Sequence, residues 1–346
     1  MNGLNKYQIF KDATLSPHWH MYVHIPFCPR KCRFCMYYTV RNFSSNTMEK
    51  LSGNLIREIE NYASMVESAM MEPGPTLTSI YFGGGTPAEL GEKKIADILA
   101  AVRALFSVHQ NVEISLEAFP DDDLSERIAF FSKIGVTRLS VGVQSLDSSI
   151  LGISKRPAVS ESNLHQIIDR SHDYGLTCNV DLMYGLPGQS EEDILNSLRK
   201  VVSCAPDHVT NYRCVAGPYT AAFRLRDTEI YPRLTAAQCD IVRNDCASIL
   251  DHAGYFEYAS GHFASYEKSR CIHELGEWSG EDFLGIGPAA MSYINGISYK
   301  NVPSIKSYGK WLEMGKIIDA DKLSQEDIVR RAALLSLTNG FISRTI

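Results

Sequence analysis

From residue 21 onward, short apolar runs alternate with longer segments of helical periodicity, and this beat admits few folds. It predicts parallel strands with helices packed outside them. Strands are expected at residues 21–25, 78–82, 112–116, 138–143, 178–183 and 208–213, with helices at 47–66, 93–106, 125–134 and 161–174 and another after Ser190. In the first helix Leu51, Leu55, Ile56 and Ile59 form one stripe. Ser190 is a natural N-cap, with Glu191 and Glu192 in the first turn where the helix dipole favours them. Six such units predict an α/β fold, a partial, three-quarter β6/α6 TIM-like barrel; a complete eightfold barrel is the alternative. The expected division is a lead-in (1–20), a core barrel (21–225) and a mostly helical C-terminal region (226–346) with strands, a Gly-rich loop and tail helices at 305–317 and 325–337.

The first strand, Tyr22-Val-His-Ile-Pro-Phe, runs straight into Cys28, Cys32 and Cys35, spaced C-x3-C-x2-C. Three thiolates on one loop can hold three corners of a 4Fe-4S cluster, and no fourth cysteine follows within reach. The open iron suits a chelating amine and carboxylate, such as the methionyl end of S-adenosylmethionine. A zinc knot wants two pairs or a matching Cys/His set, and no second C-x2-C exists. The other six cysteines, Cys178, Cys204, Cys214, Cys239, Cys246 and Cys271, are scattered and read as small buried hydrophobes.

The net charge of -6 and the lack of a Lys/Arg block argue against a nucleic-acid partner. No basic-then-apolar leader and no run of about 18 apolar residues is present, so a cytoplasmic protein without a membrane partner is expected.

The remaining unusual residues fall at the carboxyl ends of predicted strands, where α/β sheets carry their sites. Gly83-Gly84-Gly85-Thr86-Pro87 lets a ligand approach the backbone and offers carbonyls to an ammonium. Glu117 closes the third strand, and Gln144 closes the fourth, with Arg156 twelve residues on presenting a fork suited to a carboxylate. Asp181 lies within an apolar strand, which is costly unless a ligand or an arginine partners it.

The cysteine spacing after Tyr-x-His-Ile-Pro-Phe resembles the radical S-adenosylmethionine superfamily, in the branch named for oxygen-independent coproporphyrinogen III oxidase. The resemblance covers roughly Tyr22 to Ile294. It implies a cluster held by Cys28, Cys32 and Cys35, with Tyr22, Gly84, Glu117 and Met291, near the Gly285-Ile-Gly287 loop, contacting the cluster-bound S-adenosylmethionine. Phe34, Gly85, Thr86, Gln144, Arg156, Asp181 and Arg213 match positions that hold a second S-adenosylmethionine. Relatives carry an apolar residue at Arg213 and Ile-like residues near Met291. An electron donor such as flavodoxin or ferredoxin is implied as well.

The branch includes the oxidase, a heme chaperone, and methylases and cyclopropanases. The oxidase adds a cysteine where this chain has Tyr37 and carries a longer N-terminal segment; relatives also continue with a further helical domain, so this C-terminus reads as short. The chaperone carries His-Asn-x-x-Tyr-Trp before the Gly-Ile-Gly loop, where this chain has His273-Glu274-Leu-Gly-Glu277-Trp278. That keeps the histidine and exchanges an amide and a phenol for carboxylates; Glu274 and Glu277 suit a substrate cation or a proton relay, or else lie on a solvated helical face. The expected function is transfer of a methylene or methyl group from a second S-adenosylmethionine to an unsaturated small-molecule or carrier-bound substrate, started by a 5'-deoxyadenosyl radical. The alternatives are a heme chaperone and coproporphyrinogen decarboxylation.

Overall fold

The computed structural model describes residues 9–10, 16–69, 74–215, 217–218, 220–225, 233–315 and 319–338. In chain order its elements begin β1 (His18–Ile25), α1 (Ser45–Ala69), β2 (Thr76–Gly84), α2 (Glu92–Leu105), β3 (Ser107–Ala118), α3 (Leu124–Lys133), β4 (Arg138–Gln144) and α4 (Ser148–Ile153). They continue α5 (Glu161–Asp173), β5 (Thr177–Tyr184), α6 (Glu191–Ser203), β6 (His208–Arg213), α7 (Ala221–Leu225), α8 (Ala236–His252), β7 (Phe256–Ala259) and β8 (His262–Ala264). The last are α9 (Ile272–Trp278), β9 (Phe283–Ile286), β10 (Met291–Ile294), β11 (Ile297–Lys300), α10 (Ile305–Met314), β12 (Asp319–Lys322) and α11 (Gln325–Thr338).

All six expected strands and all five expected core helices are present, most of them within a few residues of the predicted bounds. The expected lead-in lies largely outside the described residues, as does the end of the helix expected at 305–317. No helix among the described residues is long and apolar enough to cross a membrane.

The chain divides into two compact units that interleave in sequence: Met1–Phe27, Asn42–Leu116 and Cys271–Ile346 form the first, Cys28–Arg41 and Glu117–Arg270 the second. In the first, the strands stand in the order β12-β11-β10-β9-β1-β2-β3. β1 is parallel to both β2 and β9, and β2 to β3, while β9 to β12 form an antiparallel run. Met21, Val23 and Ile25 of β1 are wholly buried. The apolar stripe of α1 buries Leu51, Leu55, Ile59, Tyr62 and Val66 at the spacing of one helix face. Glu58 lies in that stripe with no exposed surface.

In the second unit β4, β5 and β6 are parallel, and β8 and β7 continue the sheet antiparallel. α6 starts at the expected N-cap Ser190, which forms a capping box with Asp193. α4 escapes a periodicity reading because it spans barely two turns; Asp147 caps it by accepting from the N–H groups of Ser149 and Ile150.

This unit buries a polar group of known sign. His208 makes ring hydrogen bonds to Asn179 Oδ1 (2.5 Å) and Tyr258 Oη (2.9 Å). Burial lowers its pKa well below 6.5 and lowers that of His262 to about 4. Both are neutral in the fold, whereas the unfolded chain takes up protons near pH 6.5. The stability they contribute is therefore complete above that pH and is lost as pH falls toward 4, by about 3 kcal/mol for His262 alone. Comparing urea unfolding of the wild type and His262→Asn across this range should show a stability difference that shrinks with acidification. A constant difference would refute it.

Candidate functional site

In the first unit, the exit of β1 and the glycine turn after β2 are fitted to each other. Gly85 N–H donates to Ile25 O (2.9 Å) and Thr86 N–H to Phe27 O (2.7 Å). A Cβ on Gly85 would stand 2.4 Å from Phe27 O and 2.8 Å from Pro26 O. Gly84 has φ +120°, and a Cβ there would meet the His24 ring at 2.7 Å. The side on which Gly84 and Gly85 lack a Cβ is thus occupied by the His24 ring and by the Pro26 and Phe27 carbonyls of the segment that leads into the cysteines. Thr86 is buried beside them.

Tyr22 Oη lies 3.1 Å from His24 Nδ1, and its ring stacks on Tyr81. Tyr81 in turn stacks on His273 at 5.0 Å. His273 is 2% exposed; Glu277, by contrast, is part-exposed, its Oε1 3.4 Å from His273 Nε2. Glu274 is also part-exposed. Glu113, which the sequence did not single out, accepts from the N–H groups of Ile272 and His273 (both 3.1 Å) and so anchors the first turn of α9. The Gly285–Gly287 loop is held by Asn301, whose amide donates to Gly285 O and Gly287 O, and by Glu58, which accepts from Gly287 N–H at 2.8 Å. Met291, opposite Gly285, is half exposed.

The second unit carries the cysteine loop. Arg33 N–H donates to Ser154 O, its guanidinium to Ile153 O, and Ala222 N–H to Arg33 O, tying the loop to α4 and α7. None of the nine cysteines is disulfide-bonded. Burial raises the Cys35 thiol, opposed by the charge of Lys31. Arg156 donates to Cys32 Sγ at 3.5 Å and to Gly142 O, with its guanidinium 4.7 Å over the Phe119 ring. The donor set fits a cluster. Three thiols lie on one loop, a cation stands at one sulfur, and the other cysteines are buried elsewhere, with Cys178 pushed up to about 12 and Cys214 and Cys246 to about 11 by burial. Among the described residues no three His, Cys, Asp or Glu side chains converge on one metal ion; a cubane wants its thiolates on separate irons.

Gln144 is buried at φ 72°, a backbone conformation uncommon outside glycine, and its Oε1 accepts from Tyr212 Oη at 3.0 Å. The Asp181 carboxylate accepts from Ser140 Oγ (3.1 Å) and Asn179 Nδ2 (2.8 Å). Phe34 packs against Ile150, Met183, Leu186 and Cys214. Glu117 is half-buried and Arg213 exposed. Within the second unit the structure thus joins Arg156 to Cys32; Tyr22, Gly84, Gly85, Thr86 and Met291 belong to the first.

The radical SAM superfamily model matches residues 22–201. The chain belongs to the radical SAM superfamily. Among curated proteins, the heme chaperone HemW of Mycobacterium tuberculosis is 30% identical over 334 residues, covering 91% of this chain and 81% of that protein. That of Buchnera aphidicola is 29% identical over 270 residues, covering 77% and 68%. These relatives place the chain in the coproporphyrinogen-oxidase-like branch expected from its motifs. Among solved structures, Escherichia coli coproporphyrinogen III oxidase aligns with TM-score 0.83 at 24% identity over 96% of this chain and 78% of that one. At that identity the likeness shows the fold, and the α/β class with largely parallel strands expected from the sequence stands.

Proposed function

We propose that this radical SAM protein binds heme as a chaperone does, in preference to transferring a methylene group. The observation that carries this is the 30% identity to a protein named a heme chaperone, spread over 91% of this chain. The methylene-transfer reading has no comparable relative among those described above. Family membership implies a 4Fe-4S cluster and S-adenosylmethionine; when bound, these supply reductive cleavage of the sulfonium. Cys28, Cys32 and Cys35 would hold the cluster, and Arg156 donates to the Cys32 sulfur. Tyr22, Gly84, Glu117 and Met291 are proposed for the first S-adenosylmethionine. Gln144, Asp181 and their neighbours are proposed for a second, with a flavodoxin- or ferredoxin-type donor and a cytoplasmic setting.

Heme is the cargo in this reading. Titrating heme into the reconstituted protein should give stoichiometric binding, with neither S-adenosylhomocysteine nor carbon dioxide released when S-adenosylmethionine and acceptors are added. Joint rise of 5'-deoxyadenosine and S-adenosylhomocysteine with an unsaturated acceptor would overturn the proposal in favour of methylene transfer. Carbon dioxide from coproporphyrinogen without S-adenosylhomocysteine would favour the oxidase.

A further inference from the structure

Four side chains of the first unit form a continuous hydrogen-bonded chain from half-exposed Glu281 to buried His273. Glu281 Oε2 lies 2.8 Å from His20 Nε2, His20 Nδ1 lies 2.7 Å from Ser79 Oγ, and Ser79 Oγ lies 2.7 Å from His273 Nδ1. His20 and His273 are 1% and 2% exposed, and Ser79 is wholly buried. His273 Nε2 makes no hydrogen bond.

The direction of each bond follows from what its partners can donate. The hydrogen bond from His20 holds the Glu281 carboxyl below its ordinary pKa, so Glu281 is an ionised acceptor and His20 Nε2 carries the proton. In a neutral His20 ring Nδ1 is then an acceptor. Its other neighbour, Thr78 Oγ1 at 3.4 Å, already donates to Trp19 O, so the proton on this bond comes from Ser79. Having donated to His20, Ser79 Oγ accepts from His273, whose Nδ1 must carry the proton. His273 Nε2 is then left without a proton; it makes no hydrogen bond, and Glu277 Oε1 stands 3.4 Å away.

Packing holds the chain in place. A Cβ on Gly276 would fall 2.0 Å from His20 Nε2, so the glycine in α9 is what admits His20 beneath that helix. Tyr81 stacks on the His273 ring, and Glu113 fixes its backbone N–H. We infer that Glu281, His20 and Ser79 are positioning residues that hold His273 in the Nδ1–H tautomer and leave its Nε2 as an unprotonated Lewis base. Such orientation through the second ring nitrogen is how proteins prepare an imidazole for a metal-containing ligand. The heme consequence rests on the proposed chaperone reading; the tautomer itself does not.

The test uses the full-length reconstituted protein, labelled with 15N-histidine and with its cluster oxidised. Two-bond proton–nitrogen spectra should show His273 protonated at Nδ1 and bare at Nε2. Ser79→Ala should abolish that single tautomer, and Glu281→Ala, at a half-exposed site, should convert it to a mixture. Finding Nε2–H in the wild type, or an unchanged tautomer in both variants, would overturn the inference. Where the wild type binds heme, Ser79→Ala should weaken binding about tenfold and change the heme spectrum; unaltered binding and spectrum would count against the functional role. A wild type that binds no heme would sink the chaperone reading, while the nitrogen spectra still decide the tautomer.

Discussion

Replacing Cys32 with alanine should leave a folded chain that retains little of its iron. Cys32 is 8% exposed and its sulfur accepts from Arg156, so one small side chain and one weak hydrogen bond are lost, a change of about 1 kcal/mol. The effect on the cluster is far larger. With three cysteines on the loop, two remain, too few to hold a cubane whose fourth iron already lacks a thiolate. Iron and sulfide assays after anaerobic reconstitution should fall from about four of each per chain to a small fraction, with an unchanged far-ultraviolet spectrum. Cys214→Ala is the matched control, because burial among Ile150, Met183 and Leu186 keeps that thiol protonated and remote in role. Full iron content in the Cys32 variant would show that the loop does not hold the cluster.

The contrast between these two cysteines also shows what sequence made legible. Cys28, Cys32 and Cys35 stand out because their spacing is local, and the strands stand out because parallel strands between helices are short and uniformly apolar. Long-range polar partnerships leave no such trace. His20 and Ser79 are separated by 59 positions, and Ser79 and His273 by 194, so nothing in their neighbourhoods announces a shared hydrogen bond. Arg156 and Asp181 could be located as unusual, but their partners could not be named: the guanidinium goes to a sulfur and a carbonyl, and the carboxylate to Ser140 and Asn179. β9 to β12 are four residues each, too short for alternation to be distinctive, and β3 begins with the polar run Ser107-Val-His-Gln-Asn, which gives no strand signal of its own.

Glu58→Ala should be among the most destabilising single changes in the first unit. Position 58 falls within the helical stripe that buries Leu51, Leu55, Ile59 and Tyr62, where a carboxylate is tolerated only if its oxygens are fully engaged. They are engaged by Gly287 N–H, by the Asn301 amide at 3.0 and 3.3 Å, and by the Tyr308 hydroxyl. Burial raises the Tyr308 pKa well above its ordinary value, so that hydroxyl is a donor across the accessible pH range. Alanine would remove the acceptor that these buried donors share, at about 3 to 5 kcal/mol. Glutamine should lose less, since an oxygen at the Oε2 position still accepts from Gly287 and Tyr308, but its amide at the Oε1 position then opposes the Asn301 amide. Because Glu58 and Asn301 together fix the Gly285–Gly287 loop, the alanine variant should also bind S-adenosylmethionine more weakly even where its cluster content is normal. Denaturant unfolding and a ligand titration check the two effects separately. A loss below about 1 kcal/mol would mean that the loop is held without this carboxylate, and normal ligand affinity in a destabilised variant would confine Glu58 to the core.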